Sequence, residues 1–329
     1  MQPVMKLSLP IALLFASCGF AAAQSILVNS DEDPYRIVTV QVLLARQGFS
    51  SGLMDNRGGA RTRGALADFM ESRGLASEEA ALEALKKDER PVMGSYVIQP
   101  SDRAAVGRSP KDWDEASRVP SMAYESVPEL LTEAFCISDR FLKTLNPGIE
   151  WGAVTAGVQV VVLNWQLPPP IAEPDRVEID PNVFRLRVYD TNNVVLLSFP
   201  CSVARDRTRI PAGELKMAVF APHPDYTFNP ANYPESARAR EIGRSLILPP
   251  GPNNPVGVYW IGLSRPGFGI HGTPHPETIG SMESHGCFRL MNRDVQTLSR
   301  FVRTGLPVRI HHPAPPVNTE PVNVVQAER

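Results

Sequence analysis

A chain of 329 residues, 43% hydrophobic and 21% charged, has room for roughly two or three domains and is too apolar for a disordered polymer. Its 33 Lys and Arg against 35 Asp and Glu leave a formal net charge of -2, so no basic face for nucleic acid is signalled. Proline, at 32 residues, clusters at Pro168–Pro170, around Pro249–Pro255 and at Pro313–Pro316, which marks linkers and loops.

The chain opens on Lys6, an apolar run from Leu7 to Phe20, and Ala21–Ala23 before Gln24. This is the form of a secretory signal peptide, residues 1–23, with an apolar run short of the about 20 residues that span a bilayer. Phe15-Ala16-Ser17-Cys18 offers a second reading, a lipoprotein box, in which a lipidated Cys18 would tether the protein to a membrane. Both readings export the chain to the periplasm or cell envelope. After export the chain keeps Cys136, Cys201 and Cys287. An odd number of cysteines in an oxidising compartment points to a reactive thiol, and whether Cys136 pairs with Cys201 stays open.

From Tyr35 onward Val38-x-x-Val-x-Val-Leu-Leu sets apolar residues on one helical face. Gly48 ends that helix, Gly52–Asp55 turns, and Thr62–Met70 forms a second helix. The run Leu43-Leu44-x-x-Gln47-Gly48-Phe49-x-x-Gly52-x-x-Asp55, followed by Thr62-x-x-Ala65-Leu66-x-x-Phe69, resembles the small helical peptidoglycan-binding domain, over residues 35–76. Asn56 and Met70 depart from that family's pattern of Gly and Gln. A packing-only helical hairpin is the alternative. Over residues 94–164, Ser126-Val127-Pro128 and Ser138-Asp139 each open a helix, Leu145-Asn146-Pro147-Gly148 stops the second, and Val158–Leu163 reads as a strand. This order resembles a degenerate LysM-type module, with a spacer as the alternative.

Residues 165–174, with Leu167-Pro-Pro-Pro170, form a stiff linker. If the modules before it hold the wall, removing the residues before about Pro170 is expected to weaken sedimentation with peptidoglycan and to leave reaction with a small acylating drug unchanged. Beyond the linker Phe184–Tyr189 and Val194–Phe199 flank the turn Asp190–Asn193 as a hairpin. Further strands are expected at Glu214–Val219, Gly257–Gly262 and Leu306–His311, with a helix over Asp294–Val302 and a loose tail over 312–329.

Three of the six histidines fall between His271 and His285, beside Cys287, in a string ending Ser284-His285-Gly286-Cys287-Phe288-Arg289-Leu290. A cysteine nucleophile needs a neighbouring base or positive charge, and His271, 16 positions upstream, is placed to supply it. The resting pair is then either thiol with neutral imidazole or thiolate with imidazolium. His271, His275, His285 and Cys287 are all capable metal ligands, but zinc sites favour paired ligands at short spacing in both halves, and no metal is assigned. Thr273 and His275 receive no role.

His271-Gly272-Thr273 followed by Ser284-His285-Gly286-Cys287-x-Arg289-Leu290 resembles the signature of the L,D-transpeptidase catalytic domain of the YkuD type, over residues 175–311. Ile210-Pro-Ala-Gly-Glu and Gly251-Pro-Asn-Asn-Pro-Val-Gly resemble further segments of that family. The resemblance implies a mostly-β catalytic sandwich, unrelated to papain-like proteases, preceded here by small α-helical and α+β wall-binding-like modules in a multidomain chain. It implies Cys287 as acyl acceptor and His271 as base, oriented by the Gly272 carbonyl. Ser284, His285 and Gly286 would shape the pocket, the Gly286 and Cys287 amides would form an oxyanion hole, and Arg289 would grip a substrate carboxylate. The implied partner is peptidoglycan, as stem-peptide donor and amine acceptor, with carbapenem-type inhibitors on the same thiol and no cofactor. A carboxypeptidase and a non-catalytic wall-binding protein are the alternatives.

Overall fold

The computed structural model describes residues 33–169, 171–284 and 286–314. The signal peptide, Cys18, His285 and the tail from residue 315 lie outside the described residues. Among the described residues no helix is long and apolar enough to cross a membrane.

The chain begins with α1 (Arg36–Arg46), α2 (Ala60–Arg73) and α3 (Glu78–Leu85). α1 turns Val38, Val42 and Ala45 into one cluster and Leu43 and Leu44 into another, and the chain leaves it through Gly48 at φ 90. The following loop is closed by buried Gln41. Its amide donates to Asp55 Oδ1 and Thr62 Oγ1, both at 3.0 Å, and its carbonyl accepts from the Asp55 and Asn56 amides at 3.1 Å. Asn56 has φ 58. Asparagine is among the few non-glycine residues that enter this left-handed region readily, so the Gly-to-Asn departure keeps the turn.

Next come β1 (Met93–Val97), α4 (Pro100–Ala104), α5 (Trp113–Ala116), α6 (Val127–Phe135), α7 (Asp139–Leu145) and β2 (Gln159–Leu163). β1 and β2 pair antiparallel, Met93 opposite Leu163. Ser126 and Ser138 cap α6 and α7 by accepting from Glu129 N at 3.2 Å and Phe141 N at 3.3 Å. The Asn146 stop ties helix to strand: its side chain donates to Val161 O at 2.9 Å and accepts from Val161 N at 2.7 Å.

The remainder is mostly β: β3 (Arg176–Asp180), β4 (Arg185–Tyr189), β5 (Val195–Pro200), β6 (Val203–Ala204), β7 (Gly213–Pro222), β8 (Tyr226–Phe228), then α8 (Ala237–Ile242), β9 (Leu246–Leu248), β10 (Tyr259–Leu263), β11 (Gly269–His271), β12 (Met282–Ser284), β13 (Phe288–Arg289), α9 (Asn292–Ser299) and β14 (Pro307–Ile310). Eight strands form one sheet in the order β13-β11-β10-β7-β14-β3-β4-β5. Residues 213–216 of β7 pair with β14, and residues 217–222 pair with β10. A strand that changes partners along its length lets a sheet curl onto itself, and Val177, Leu186 and Leu197 from one arm share a core with Ile261, Ile270 and Phe288 from the other. The strand expected at Gly257 starts at Tyr259, because Gly257 at φ 63 closes a turn onto Asn254 O at 2.7 Å. The helix expected over Asp294–Val302 runs Asn292–Ser299.

The two halves joined by the Pro-rich segment are in direct contact. Asp68 of α2, 1% exposed, forms ion pairs with Arg185 at 2.9 Å and Arg187 at 2.7 Å on β4 and accepts a hydrogen bond from the Ser198 hydroxyl on β5. Ser50 N donates to Ser198 O at 2.8 Å, and Ser198 N returns to Gly48 O at 3.0 Å. Removing everything before Pro170 would uncover Arg185, which is 3% exposed in the full chain, and take away its ion-pair partner and the backbone bonds at Ser198.

Candidate active site

Cys287 immediately precedes β13, and His271 ends β11. The strands are parallel neighbours with Ile270 opposite Phe288 and His271 opposite Arg289. Side chains two apart on a strand share a face, so Cys287, Arg289 and His271 converge at one edge of the sheet. All three line a cavity of about 1080 Å³, together with Ser284 and Gly286. His285 lies outside the described residues. Among the described residues no group of three or more His, Cys, Asp or Glu side chains is placed to hold a metal ion.

His271 Nδ1 lies 2.6 Å from Gly272 O. A carbonyl oxygen only accepts, so Nδ1 carries the proton and Nε2 presents the basic lone pair. Trp260 on β10 stacks on the imidazole, centroids 5.5 Å apart at 19°. Gly269 is what admits that indole: a Cβ there would lie 2.5 Å from the Trp260 ring. Burial lowers the His271 pKa to about 4, assisted by the Arg289 charge, while the Gly272 bond acts the other way. Burial pushes the Cys287 thiol up to about 11, opposed by the Gly269 backbone. The thiol donates weakly to Gly267 O at 3.6 Å. Of the two resting forms open to the sequence, these environments favour thiol with neutral imidazole.

Gly272 is held from below. Asn292, 1% exposed at the start of α9, places Oδ1 where a Gly272 Cβ would sit, 2.1 Å away, and accepts from Val258 N at 3.2 Å. Its amide donates to Glu133 Oε2 at 2.6 Å and Pro252 O at 3.2 Å. Glu133 comes from α6, and its other oxygen accepts from Tyr124 at 2.7 Å. Burial raises the Glu133 pKa against the pull of Asn292 and Tyr124. Glu133 of the first half of the chain thus bonds the side chain that packs against Gly272, the residue whose carbonyl orients His271.

Ser284 clamps the loop before the cysteine, donating to Cys287 O at 2.5 Å and accepting from Gly286 N at 3.3 Å. The Gly286 amide is therefore turned to the Ser284 hydroxyl rather than free for a ligand. Arg289 donates through Nη2 to Thr278 Oγ1 at 3.0 Å. Cys136 and Cys201 are unbridged and buried in separate clusters; burial drives both thiols upward, Cys201 to about 12. Sequence reasoning missed Trp260, Asn292, Glu133 and the cavity wall supplied by Lys111 and Trp113. Only Gly269, four residues before Thr273 and opposed by an aromatic strand, carried a local signal, since a glycine inside a strand often marks close approach of a neighbour.

Comparison with known proteins identifies the family of the half that carries this cavity. Residues 174–310 match the family model described as the YkuD L,D-transpeptidase catalytic domain. The chain is 30% identical over 182 residues to the protein named L,D-transpeptidase YkuD in Bacillus licheniformis, covering 55% of this chain and 92% of that one. Its Bacillus subtilis namesake is 32% identical over 177 residues, covering 54% of this chain and 88% of that one. With 30% and 32% identity over 92% and 88% of those relatives, this chain belongs to the L,D-transpeptidase family.

Proposed function

We propose that this chain is an exported L,D-transpeptidase that exchanges bonds in peptidoglycan stem peptides through a thioester on Cys287. The observation that carries the reading is that His271, at the end of β11, and Cys287, just before the neighbouring β13, line one cavity, with Nδ1 held on Gly272 O at 2.6 Å. A fixed tautomer leaves Nε2 free to take the thiol proton as sulfur attacks. The carbonyl attacked joins the L-configured centre of diaminopimelate to the terminal D-alanine of a tetrapeptide stem. His271 returns its proton to the departing D-alanine nitrogen, and a thioester remains. An amine of a second stem then displaces Cys287, giving a 3→3 cross-link. The energy of the broken peptide bond is carried in the thioester, so the exchange requires no external energy source.

Arg289, beside His271 in register, supplies a planar guanidinium suited to a substrate carboxylate. A carbapenem offers the same thiol a strained amide. The test is mass spectrometry of the protein after exposure to a carbapenem, with product analysis on a tetrapeptide stem. An adduct on Cys287, D-alanine release and 3→3 dimers are expected, all abolished by Cys287→Ala. Release of tripeptide without dimers would replace the reading with an L,D-carboxypeptidase. Binding of peptidoglycan without adduct or turnover would replace it with a wall-binding protein.

A further inference from the structure

The cavity that holds Cys287 is not closed by the catalytic half alone. Pro110, Lys111, Asp112, Trp113 and Met122 line it too, and all lie upstream of the residues 174–310 that match the family domain. The segment is built in rather than draped. Trp113 stacks on Phe228 with centroids 4.8 Å apart at 19°, and Ala116 and Met122 join Phe228, Leu246 and Leu248 in one buried cluster. Asp112 pairs with Arg238 at 2.6 Å and Asp114 with Arg244 at 2.8 Å. Met122 N donates to Pro250 O and Asn253 N donates to Met122 O, both at 3.0 Å. Gly251 makes that approach feasible, since a Cβ there would lie 2.2 Å from Met122 O.

The charges on this wall point to a class of ligand. The described lining residues include three permanent cations, Lys111, Arg209 and Arg289, against a single carboxylate, Asp112, already committed to Arg238. Arg289 belongs to the motif and Arg209 sits near Asp206 at 3.8 Å. Lys111 is exposed and forms no ion pair among the described residues; its own backbone amide and Arg108 occupy the adjacent Glu115. An ammonium without an ion-pair partner, lining the same cleft as the thiol, suits a ligand that carries carboxylates beyond the scissile bond.

We propose that residues 110–122 form the specificity wall of the stem-peptide cleft, and that Lys111 receives a carboxylate of the bound peptide. This rests on the transpeptidase reading for the identity of the peptide, but not for the presence of a carboxylate site. Lys111 supplies none of the thiol and imidazole chemistry, so its loss should act on KM far more than on kcat.

The experiment uses the full chain with Lys111→Ala and Lys111→Glu, an acidic tetrapeptide stem, and the same stem with its side carboxylates amidated. Lys111→Ala should raise KM for the acidic stem about fivefold, the scale of an exposed ion pair, and Lys111→Glu should raise it further. The wild-type KM should climb with salt more steeply than that of either variant. Amidated stem should erase the difference between wild type and Lys111→Ala. Equal KM for all three proteins on the acidic stem, or an unchanged loss on the amidated one, overturns the proposal. Dissociation constants measured by tryptophan fluorescence in a Cys287→Ala background separate the two readings. Lys111-dependent binding without wild-type turnover would sink the transpeptidase reading and keep the wall, whereas turnover with Lys111-independent binding would do the reverse.

Discussion

Asp68→Ala should be among the most damaging single substitutions outside the cysteine motif. The carboxylate sits on α2, yet its partners Arg185, Arg187 and Ser198 belong to the sheet of the catalytic half. Arg185 also donates to Ser50 O at 3.1 Å, and burial already pulls its guanidinium pKa down against the support of Asp68. Deleting the carboxylate leaves a buried charge without compensation, which costs about 3–5 kcal/mol out of a total near 5–15 kcal/mol for a typical fold. Urea unfolding of the full chain should show the midpoint falling with the slope unchanged. Arg187→Ala should cost less, because its side chain is 22% exposed. The pair Asp68→Leu with Arg185→Met should recover much of the loss, as apolar replacement of a buried ion pair is often neutral or better. A loss below about 1 kcal/mol for Asp68→Ala, or a double variant no better than the single, would refute the reasoning.

His271→Ala should slow carbapenem acylation by about 10²–10⁴ while Cys287 remains present by mass; an unchanged rate would remove His271 as base. With the imidazole held at about 4 and the thiol at about 11, wild-type acylation should stay level from about pH 5 to 9, whereas alkylation by iodoacetamide, which needs thiolate, should climb throughout; an alkylation plateau near neutrality would show a preformed ion pair. Gly272→Ala would drive a Cβ to 2.1 Å from Asn292 Oδ1 and should abolish activity with a lowered melting temperature, so near-wild-type kinetics would contradict the buttress. Burial raises Asp294 from 3.8 to about 7 despite Ser50 and Arg185, so the folded protein keeps a proton that the unfolded chain releases, and this contribution to stability is present below 3.8 and lost as pH rises to 7. His271, lowered from 6.5 to about 4, works oppositely: its contribution is present above 6.5 and lost as pH falls to 4. Asp294→Asn should remove the first loss and leave the second, and identical pH slopes in denaturant titrations of both proteins would overturn that assignment.

What the sequence disclosed was what local pattern can encode. The hairpin of β4 and β5 follows from alternation around Asp190–Asn193, and the caps at Ser126 and Ser138 lie in the residues themselves. The cysteine string, with His271 upstream, marked the edge of the sheet where the cavity opens. The segment 226–248 was not legible: β8 and β9 are three residues each and α8 is six, too short for periodicity to register. Nor was Asn292, which precedes the expected helix and looks like an ordinary polar residue until Glu133, 159 positions away, is brought against it. Asp68 and Arg185, 117 positions apart, carry no mark of each other in the chain.

The resting state of the pair bears on how the reaction starts. Burial lowers the His271 imidazole and raises the Cys287 thiol, so desolvation disfavours the charged form of each. On the proposed mechanism the sulfur keeps its proton until an electrophile is in place, and transfer to Nε2 accompanies attack. Such a site gains from whatever holds the carbonyl at the right height over the thiol, since proximity and proton transfer have to coincide. That places the burden on the surroundings of the motif: Trp260 against the imidazole, Asn292 and Glu133 beneath Gly272, and the Trp113 wall across the cavity. Two of these supports, Glu133 and Trp113, come from the half of the chain that carries none of the reacting groups, so a fragment containing the whole cysteine motif is expected to be a poorer acyl acceptor than the intact protein even where it folds.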